Sequence, residues 1–165
     1  LTERGLFVFS VTILAVGKLK EPWLREGFSE YRKRLSAYCD LSVVEIPEHR
    51  LPEAPSPAQI QKGLEEEGRA ILDRAGKAPL VALCIEGKTL SSPDLARFLG
   101  ERQQAGSSLA FVIGGSFGLA GQVKDQAVLR LSVSPMTFPH QLFRVMLAEQ
   151  LYRGFSILSG GKYHK

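Results

Sequence analysis

The chain has 165 residues, 44% of them hydrophobic and 23% charged, a balance typical of a single globular domain and not of a disordered chain. Its 21 lysines and arginines outnumber its 17 aspartates and glutamates, so the net charge of +4 favours an anionic partner without establishing one. The two cysteines, Cys39 and Cys84, lack the spacing of a zinc or redox site, so we expect a cytoplasmic protein that binds no metal.

The first apolar run, residues 6–16, resembles the core of a signal peptide. Its flanking charges, Glu3 and Arg4, cancel, no convincing small-residue cleavage site follows, and the run is too short to span a bilayer. We therefore expect no membrane segment. Residues 11–16 are predicted to form a buried first strand, and residues 1–9 are a candidate N-terminal extension of one domain that covers residues 1–165.

Strand and helix patterns then alternate along the chain. Pro22 begins a helical pattern with Phe28 and Leu35 on its apolar face. Four prolines make residues 47–57 an irregular segment and a candidate mobile loop. Gly76 and Ser92 are the expected helix caps. The predicted strands are residues 11–16, 41–46, 80–85, 109–113 and 128–133, and the later helices begin near Ile60, at Ser92, after the glycines of residues 114–118, and at Pro139.

Five strands, each followed by a helix, predict an α/β fold. Because the inner strands are apolar on both faces, we expect a mostly parallel sheet of five to six strands with helices on both faces. Ligands bind such sheets at the carboxyl ends of their strands. The loops 86–89, 114–118 and 134–140 are all predicted to leave that edge, so they are the candidate ligand-binding segments.

Three glycines within residues 114–118 directly follow an apolar run. Without Cβ atoms, such a segment lets a ligand lie against main-chain N–H and C=O groups. It matches neither the dinucleotide fingerprint nor a phosphate-binding P-loop. A receiver-like domain is also disfavoured, because Gly17 and Lys18 stand where metal-binding acids would be needed. The three histidines lack metal-ligand spacing: His49, His140 and His164.

The last predicted helix, residues 139–158, carries Arg144, Glu149 and Arg153. Glu149 and Arg153 are four residues apart, so they are expected either to form a local ion pair or to leave Arg153 free for a phosphate. Beyond the helix the tail supplies an aromatic ring, an imidazole and a cation in Tyr163-His164-Lys165. His164 is the strongest functional candidate among the histidines.

Taken in order, these motifs resemble the ribosomal RNA large subunit methyltransferase H family over nearly the whole chain from Val11. The motifs that carry the resemblance are Gly114-Gly115-Ser116-Phe117-Gly118, Leu131-Ser132, Met136-Thr137-Phe138-Pro139-His140-Gln141, Glu149-Gln150-Leu151-Tyr152-Arg153 and Tyr163-His164-Lys165. The family belongs to the SPOUT class, so the resemblance implies a C-terminal trefoil knot, which sequence periodicity by itself would not indicate.

The resemblance also implies an activity: S-adenosyl-L-methionine-dependent methylation of N3 of a pseudouridine in 23S rRNA, in the ribosome or the large subunit, by a homodimer. It places cofactor contacts on Leu83, Gly114, Gly115, Leu131, Ser132, Val133, Ser134, Pro135 and Met136. It places contacts with the target base or phosphate on the catalytic candidates Arg153, Tyr163 and His164. His164 is the hypothetical general base or base-orienting group, and the segment 47–57 and the basic first helix are expected RNA contacts.

Two other functions stay open at this point. One is a non-catalytic RNA-binding module on a SPOUT scaffold, and the other is a SPOUT tRNA ribose methyltransferase. Methylation at a ring nitrogen uses a lone pair of the base itself, so it requires no cysteine adduct. Neither cysteine is therefore expected to act in the reaction.

Overall fold

Five parallel strands form the central sheet of the computed structural model, which describes residues 8–165. The strand order is β2-β1-β4-β3-β5, and every neighbouring pair is parallel. The predicted parallel α/β sheet is therefore confirmed, with five strands. The strands are β1 (Ser10–Val16), β2 (Asp40–Ile46), β3 (Leu80–Thr89), β4 (Ser108–Ile113) and β5 (Leu129–Ser132).

Helices cover both faces of this sheet, as predicted. They are α1 (Pro22–Leu35), α2 (Pro57–Ala75), α3 (Ser92–Ala105), α4 (Gly121–Gln126) and α5 (His140–Leu158). Helices α1, α3 and α5 pack together over one face, and α2 and α4 cover the other. Proline is the first residue of α1 and of α2, where its missing N–H leaves no hydrogen bond unmade.

The two apolar cores follow from the alternation of side chains along each strand. In β1, Val11 and Ile13 point toward α1, α3 and α5, whereas Leu14 and Val16 point toward α2 and α4. All four are buried, as is Phe111 beside Ile13 in the register. Burial on both faces explains why these strands appear in the sequence as continuous apolar runs.

Strand β3 is longer than predicted. The segment 86–89 was expected to be a loop, but it continues the strand, and Lys88 and Thr89 pair with Leu131 and Ser132 of β5 after an irregularity in the register. Gly87 makes this second contact with β5 feasible, because an added Cβ would lie 2.7 Å from the main chain of Arg130. The loop prediction was wrong because apolar patterning does not reveal such a close approach of two main chains.

Of the two predicted helix caps, one is confirmed and one is shifted by a residue. Ser91, and not Ser92, caps α3: its hydroxyl accepts a hydrogen bond of 3.2 Å from the Asp94 N–H. The Ser92 hydroxyl instead donates to the Gln150 side chain of α5, at 2.7 Å. Gly76 ends α2 as predicted.

The irregular segment before α2 is held against that helix through His49. The His49 N–H donates to a Glu67 carboxylate oxygen at 2.9 Å, and its ring Nδ1 lies 2.7 Å from Glu66. Burial raises the pKa of Glu67 above the usual range. The irregular conformation that the prolines predict is confirmed up to Ser56, and the mobility of this segment stays a prediction.

The candidate N-terminal extension falls mostly on residues 1–7, which lie outside the described residues. Phe9 is part of the core, where its ring packs edge-on against Phe155 with centroids 6.4 Å apart. Cys39 is buried nearby, and burial raises the pKa of its thiol to about 12. Within residues 8–165, none of the helices has the length and apolar composition needed to cross a bilayer.

Candidate active site

A cleft of about 550 Å³ opens at the carboxyl ends of β3, β4 and β5. Three segments form most of its lining: residues 83–86 in β3, residues 113–119 from the end of β4 onward, and the chain from the end of β5 into α5. The second and third are among the loops that the sequence predicted to leave this edge. The cleft is therefore built where a parallel sheet ordinarily binds its ligand.

The glycine segment forms the tightest wall of the cleft. The Gly118 N–H donates to the Gly115 carbonyl at 3.1 Å, which closes a turn with Ser116 and Phe117 at its tip. An added Cβ at Gly114 would overlap the Gly118 carbonyl, so no larger residue fits there without moving the turn. Main-chain groups are thus brought close to the cleft, as the predicted mode of ligand contact requires.

Most of the predicted cofactor contacts line this cleft. They are Leu83, Gly114, Gly115, Leu131, Val133 and Ser134. The other three do not line it. Ser132 is buried behind the wall, where its hydroxyl donates to the Ser134 carbonyl at 3.2 Å. Pro135 is exposed outside the cleft, and Met136 is 71% exposed, with its N–H bonded to the Ser134 hydroxyl at 3.0 Å.

Several cleft residues were not among the predicted cofactor contacts. Lys124 reaches from α4 to Glu86 of β3, with a distance of 2.5 Å between Nζ and Oε1. This hydrogen bond holds the pKa of Glu86 below its usual range. Phe138 and Phe143 pack edge-on with centroids 5.7 Å apart on the opposite wall. Glu86 and Phe138 lie in the segments 86–89 and 134–140 that the sequence marked as candidate ligand-binding segments, whereas Lys124 and Phe143 had no such signal.

Cys84 also lines the cleft and is only half-buried, although it belongs to a predicted strand, residues 80–85, that we expect to be covered on both faces. The difference arises because the outer part of β3 runs along the cleft wall. Burial is the main cause that raises the pKa of the Cys84 thiol.

The three catalytic candidates lie together beside α5, away from the cleft, in a group that we call the tail cluster: Tyr31 of α1, Glu149 and Arg153 of α5, and Tyr163 and His164 of the tail. Glu149 is its centre. One of its carboxylate oxygens accepts hydrogen bonds from Arg153 Nε at 2.9 Å, Arg153 Nη2 at 2.5 Å and the Tyr163 hydroxyl at 3.1 Å. The predicted local ion pair between Glu149 and Arg153 is therefore present.

Tyr163 is fixed by packing as well as by hydrogen bonds. Its ring meets Tyr152 edge-on with centroids 4.7 Å apart, and the Arg153 guanidinium lies 4.7 Å from its centroid. Its hydroxyl lies 3.5 Å from that of Tyr31. The hydrogen bond with Tyr31, burial and the Glu149 carboxylate together raise the pKa of Tyr163. The next tail residue, His164, has its Nδ1 atom 3.2 Å from Arg153 Nη1.

The tail cluster and the cleft are separate within one chain. Among the described residues, none of positions 161–165 lines the cleft. A second cavity of about 490 Å³ borders the tail cluster at Tyr31 and Glu149. It shares a wall with the cleft, formed by Leu83, Leu131 and Val133.

Arg144, the remaining charged candidate of the last helix, lies in neither place. It is buried, donates to Glu45 at 2.7 Å and to the Gly17 carbonyl at 3.1 Å, and so ties α5 to the ends of β1 and β2. Burial opposes ionisation of Glu45, but hydrogen bonds from Arg144 and the Leu19 N–H outweigh it and lower the pKa of that carboxyl.

The three histidines lie in different parts of the fold. His49 packs against α2, His140 lines the cleft, and His164 is in the tail cluster. Over residues 8–165 the side chains form no group of three metal-ligand types close enough to hold an ion.

Comparison of the sequence with known proteins shows which family this chain is similar to. A family model described as a predicted SPOUT methyltransferase matches residues 9–164. Among curated relatives, a ribosomal RNA large subunit methyltransferase H of Carboxydothermus hydrogenoformans is 47% identical over 157 residues, covering 94% of this chain and 99% of the relative. Its namesake in Pelotomaculum thermopropionicum is 48% identical over 159 residues, covering 95% and 99%.

One solved structure supports the fold alone. It is a probable methyltransferase from Bordetella pertussis Tohama I, with a TM-score of 0.54 at 14% identity, and the match covers 92% of this chain and 96% of that one.

Proposed function

We propose a methyl transfer to ribosomal RNA for this chain, which belongs to the ribosomal RNA large subunit methyltransferase H family of SPOUT methyltransferases. The methyl group comes from S-adenosyl-L-methionine, and the acceptor is N3 of a pseudouridine in the large-subunit RNA. The observation that carries the proposal is the glycine-walled cleft at the carboxyl edge of the sheet, in a chain that covers almost the whole length of its named relatives.

The cleft fits such a cofactor in size and in chemistry. Its volume of about 550 Å³ is in the range of small-molecule sites, and Leu83, Leu131 and Phe138 give it apolar walls for an adenine ring. Glu86 and Lys124 supply opposite charges for an amino-acid group. The absence of a side chain at Gly114 lets the 115–118 turn close against it, and this turn places main-chain groups in the cleft wall. When bound, the cofactor would supply a methyl group on a positively charged sulfur.

The acceptor base would be presented by the tail cluster of a partner subunit. No tail residue lines the cleft of its own chain, so a homodimer in which each tail serves the partner's cleft brings both halves of the site together. Positioning of N3 against the methyl group would account for most of the rate.

RNA contacts beyond the base are expected on the basic residues of α1, which are Arg25, Arg32, Lys33 and Arg34. Arg34 is paired with Glu30 at 2.9 Å, and Arg25 and Arg32 also donate to main-chain carbonyls. Cations of this kind bind phosphates without reading sequence, so the target would be recognised mainly by shape and by an unstacked base.

The decisive experiment is incubation of the protein with labelled S-adenosyl-L-methionine and ribosomes from a strain that lacks the modification. We expect one labelled pseudouridine in the large-subunit RNA, located by nuclease mapping and mass spectrometry. A label on a ribose or on tRNA would support a tRNA ribose methyltransferase instead. Cofactor binding without transfer to any RNA would support the non-catalytic RNA-binding module.

A further inference from the structure

The geometry points to a specific role for His164, which rests on the proposed function: its ring donates a hydrogen bond to a carbonyl oxygen of the target base and does not take up the N3 proton. Glu149 and Arg153 act as positioning residues that hold the imidazole in the donating tautomer. The resemblance leaves two roles open for His164, general base or base-orienting group, and this inference differs from the first of them.

The Glu149 carboxylate fixes the orientation of the Arg153 guanidinium, which also contacts His164. Two of its nitrogens, Nε and Nη2, donate to the same Glu149 oxygen, and both side chains are mostly buried, 25% and 18% exposed. The other Glu149 oxygen accepts a hydrogen bond from the Gln150 amide at 2.8 Å. The direction of the remaining Arg153 nitrogen, Nη1, is therefore set by the helix and not by solvent.

That nitrogen decides the tautomer of His164. An arginine N–H can only donate, so His164 Nδ1, at 3.2 Å, must be the acceptor. In the neutral ring the proton then resides on Nε2. The lone pair on Nδ1 is engaged, and Nε2 has an N–H to offer. In this arrangement the neutral imidazole has no free lone pair with which to accept a proton.

Tyr163 gives no alternative base within the tail cluster. Its hydroxyl donates to Glu149 at 3.1 Å, and the neighbouring carboxylate disfavours its ionised form. The tail cluster thus offers hydrogen-bond donors to a base, and its only anionic group is already occupied by Arg153 and Tyr163.

A donor is useful in this reaction because loss of the N3 proton spreads negative charge onto the adjacent carbonyl oxygens of the base. An N–H at one of these oxygens stabilises that charge. The N3 proton passes to water or hydroxide. The N3 lone pair then forms the new N–C bond, the C–S bond breaks, and its electron pair stays on sulfur in S-adenosylhomocysteine.

The test compares His164→Gln with His164→Ala in the full-length protein. Glutamine retains an N–H donor but cannot act as a base near neutral pH. We expect the alanine variant to lose about 10²-fold in single-turnover methylation of unmodified ribosomes, as for a lost oxyanion-stabilising donor, and the glutamine variant to stay within about tenfold of native. Equal, severe loss in both variants, or no loss in the alanine variant, would overturn the proposal.

A second measurement does not depend on activity. Nitrogen-15 NMR of the imidazoles should show His164 as the Nε2–H tautomer in the native protein, with His49→Gln and His140→Gln variants used for assignment. In Glu149→Gln the Arg153 side chain is released, so we expect a mixture of tautomers while calorimetry shows unchanged cofactor affinity. A native Nδ1–H tautomer would refute the inference. Failure of the native protein to methylate any ribosome would instead count against the proposed function.

Discussion

Gly114 is the position at which one added carbon would change the cleft most. Its Cβ would overlap the Gly118 carbonyl, so Gly114→Ala must push the 115–118 turn out of place. We expect this variant to weaken binding of S-adenosyl-L-methionine by more than about tenfold and to lower the free energy of unfolding by roughly 1–3 kcal/mol, the usual cost of overpacking. Calorimetry and chemical denaturation measure the two effects.

Gly121→Ala is the matched control, since a Cβ there meets nothing within 4 Å. It should bind the cofactor with native affinity. Equal affinity of the two variants would mean that the glycine turn does not form the cofactor site.

Arg144 is predicted to matter for stability and not for chemistry. Arg144→Met removes the hydrogen bonds to Glu45 and to the Gly17 carbonyl. We expect a loss of about 2 kcal/mol, at the low end for a buried pair because the Glu45 side chain is 42% exposed and partly screened by solvent. Urea denaturation measures this loss, and Arg97→Met, which breaks an exposed pair with Asp94, should change stability by less than about 0.5 kcal/mol.

The pH dependence of the same variant has a definite sign. The pKa of Glu45 is lower in the folded protein than in the unfolded chain, so its contribution is fully present above the unfolded pKa of about 4.3 and is lost as pH falls through the folded value. Arg144→Met should therefore lose less stability than native on going from neutral pH to about pH 3. An unchanged acid limb in denaturation curves would contradict this assignment.

Some residues of the site could be predicted from the sequence and others could not. The glycines of the cleft could be identified because their lack of a side chain is itself the signal. Lys124 could not be identified, because nothing in the sequence of a short polar helix shows that the Lys124 side chain reaches Glu86 in β3. The role of Arg144 was equally hidden, since burial of a charge depends on a partner 99 positions away.

At the scale of elements, the pairing of β3 with β5 supports one wall of the cleft. Gly87→Ala would place a carbon 2.7 Å from the Arg130 main chain, which cannot move without breaking the register. We expect this variant to lower the unfolding free energy by roughly 1–3 kcal/mol and to weaken cofactor binding. Gly106→Ala, where a Cβ meets nothing within 4 Å, serves as the control for denaturation and calorimetry. Native behaviour of the Gly87 variant would show that β3 and β5 do not approach this closely.

All five strands and all five helices were predictable, because their periodicity and their proline and serine boundaries are local properties of the chain. The outer half of β3 was not. Residues 86–89 are polar and include a glycine, which is ordinarily a loop signal, and only the partner strand turns them into sheet. Pairing between distant segments is thus the part of the fold that local pattern leaves undetermined.

At the scale of the whole molecule, mixed dimers can test the proposal that the tail of each subunit acts at the cleft of its partner. His164→Ala retains an intact cleft and Gly114→Ala an intact tail. If each tail serves the partner's cleft, mixed dimers of the two inactive chains contain one complete site. Random mixing after dissociation should then restore about a quarter of native ribosome methylation.

The outcome differs clearly if each tail serves its own cleft, because no chain in the mixture then carries both halves and activity should stay at the level of the separate variants. Co-purification of an untagged Gly114→Ala chain with a tagged His164→Ala chain checks that the subunits have exchanged. Sedimentation of the native protein checks that a dimer forms at the concentrations used. The trefoil knot that the family resemblance implies also stays a prediction.

The half-buried thiol in the cleft wall has a practical consequence. Cys39 is buried in the core, so among the described residues Cys84 carries the one accessible thiol with which a small electrophile can react under native conditions. The rate of its alkylation, slowed by a raised pKa, therefore becomes a gauge of site occupancy in the unaltered protein. A fragment that carries an acrylamide group could react with Cys84 Sγ and so serve as a starting point for covalent inhibitors.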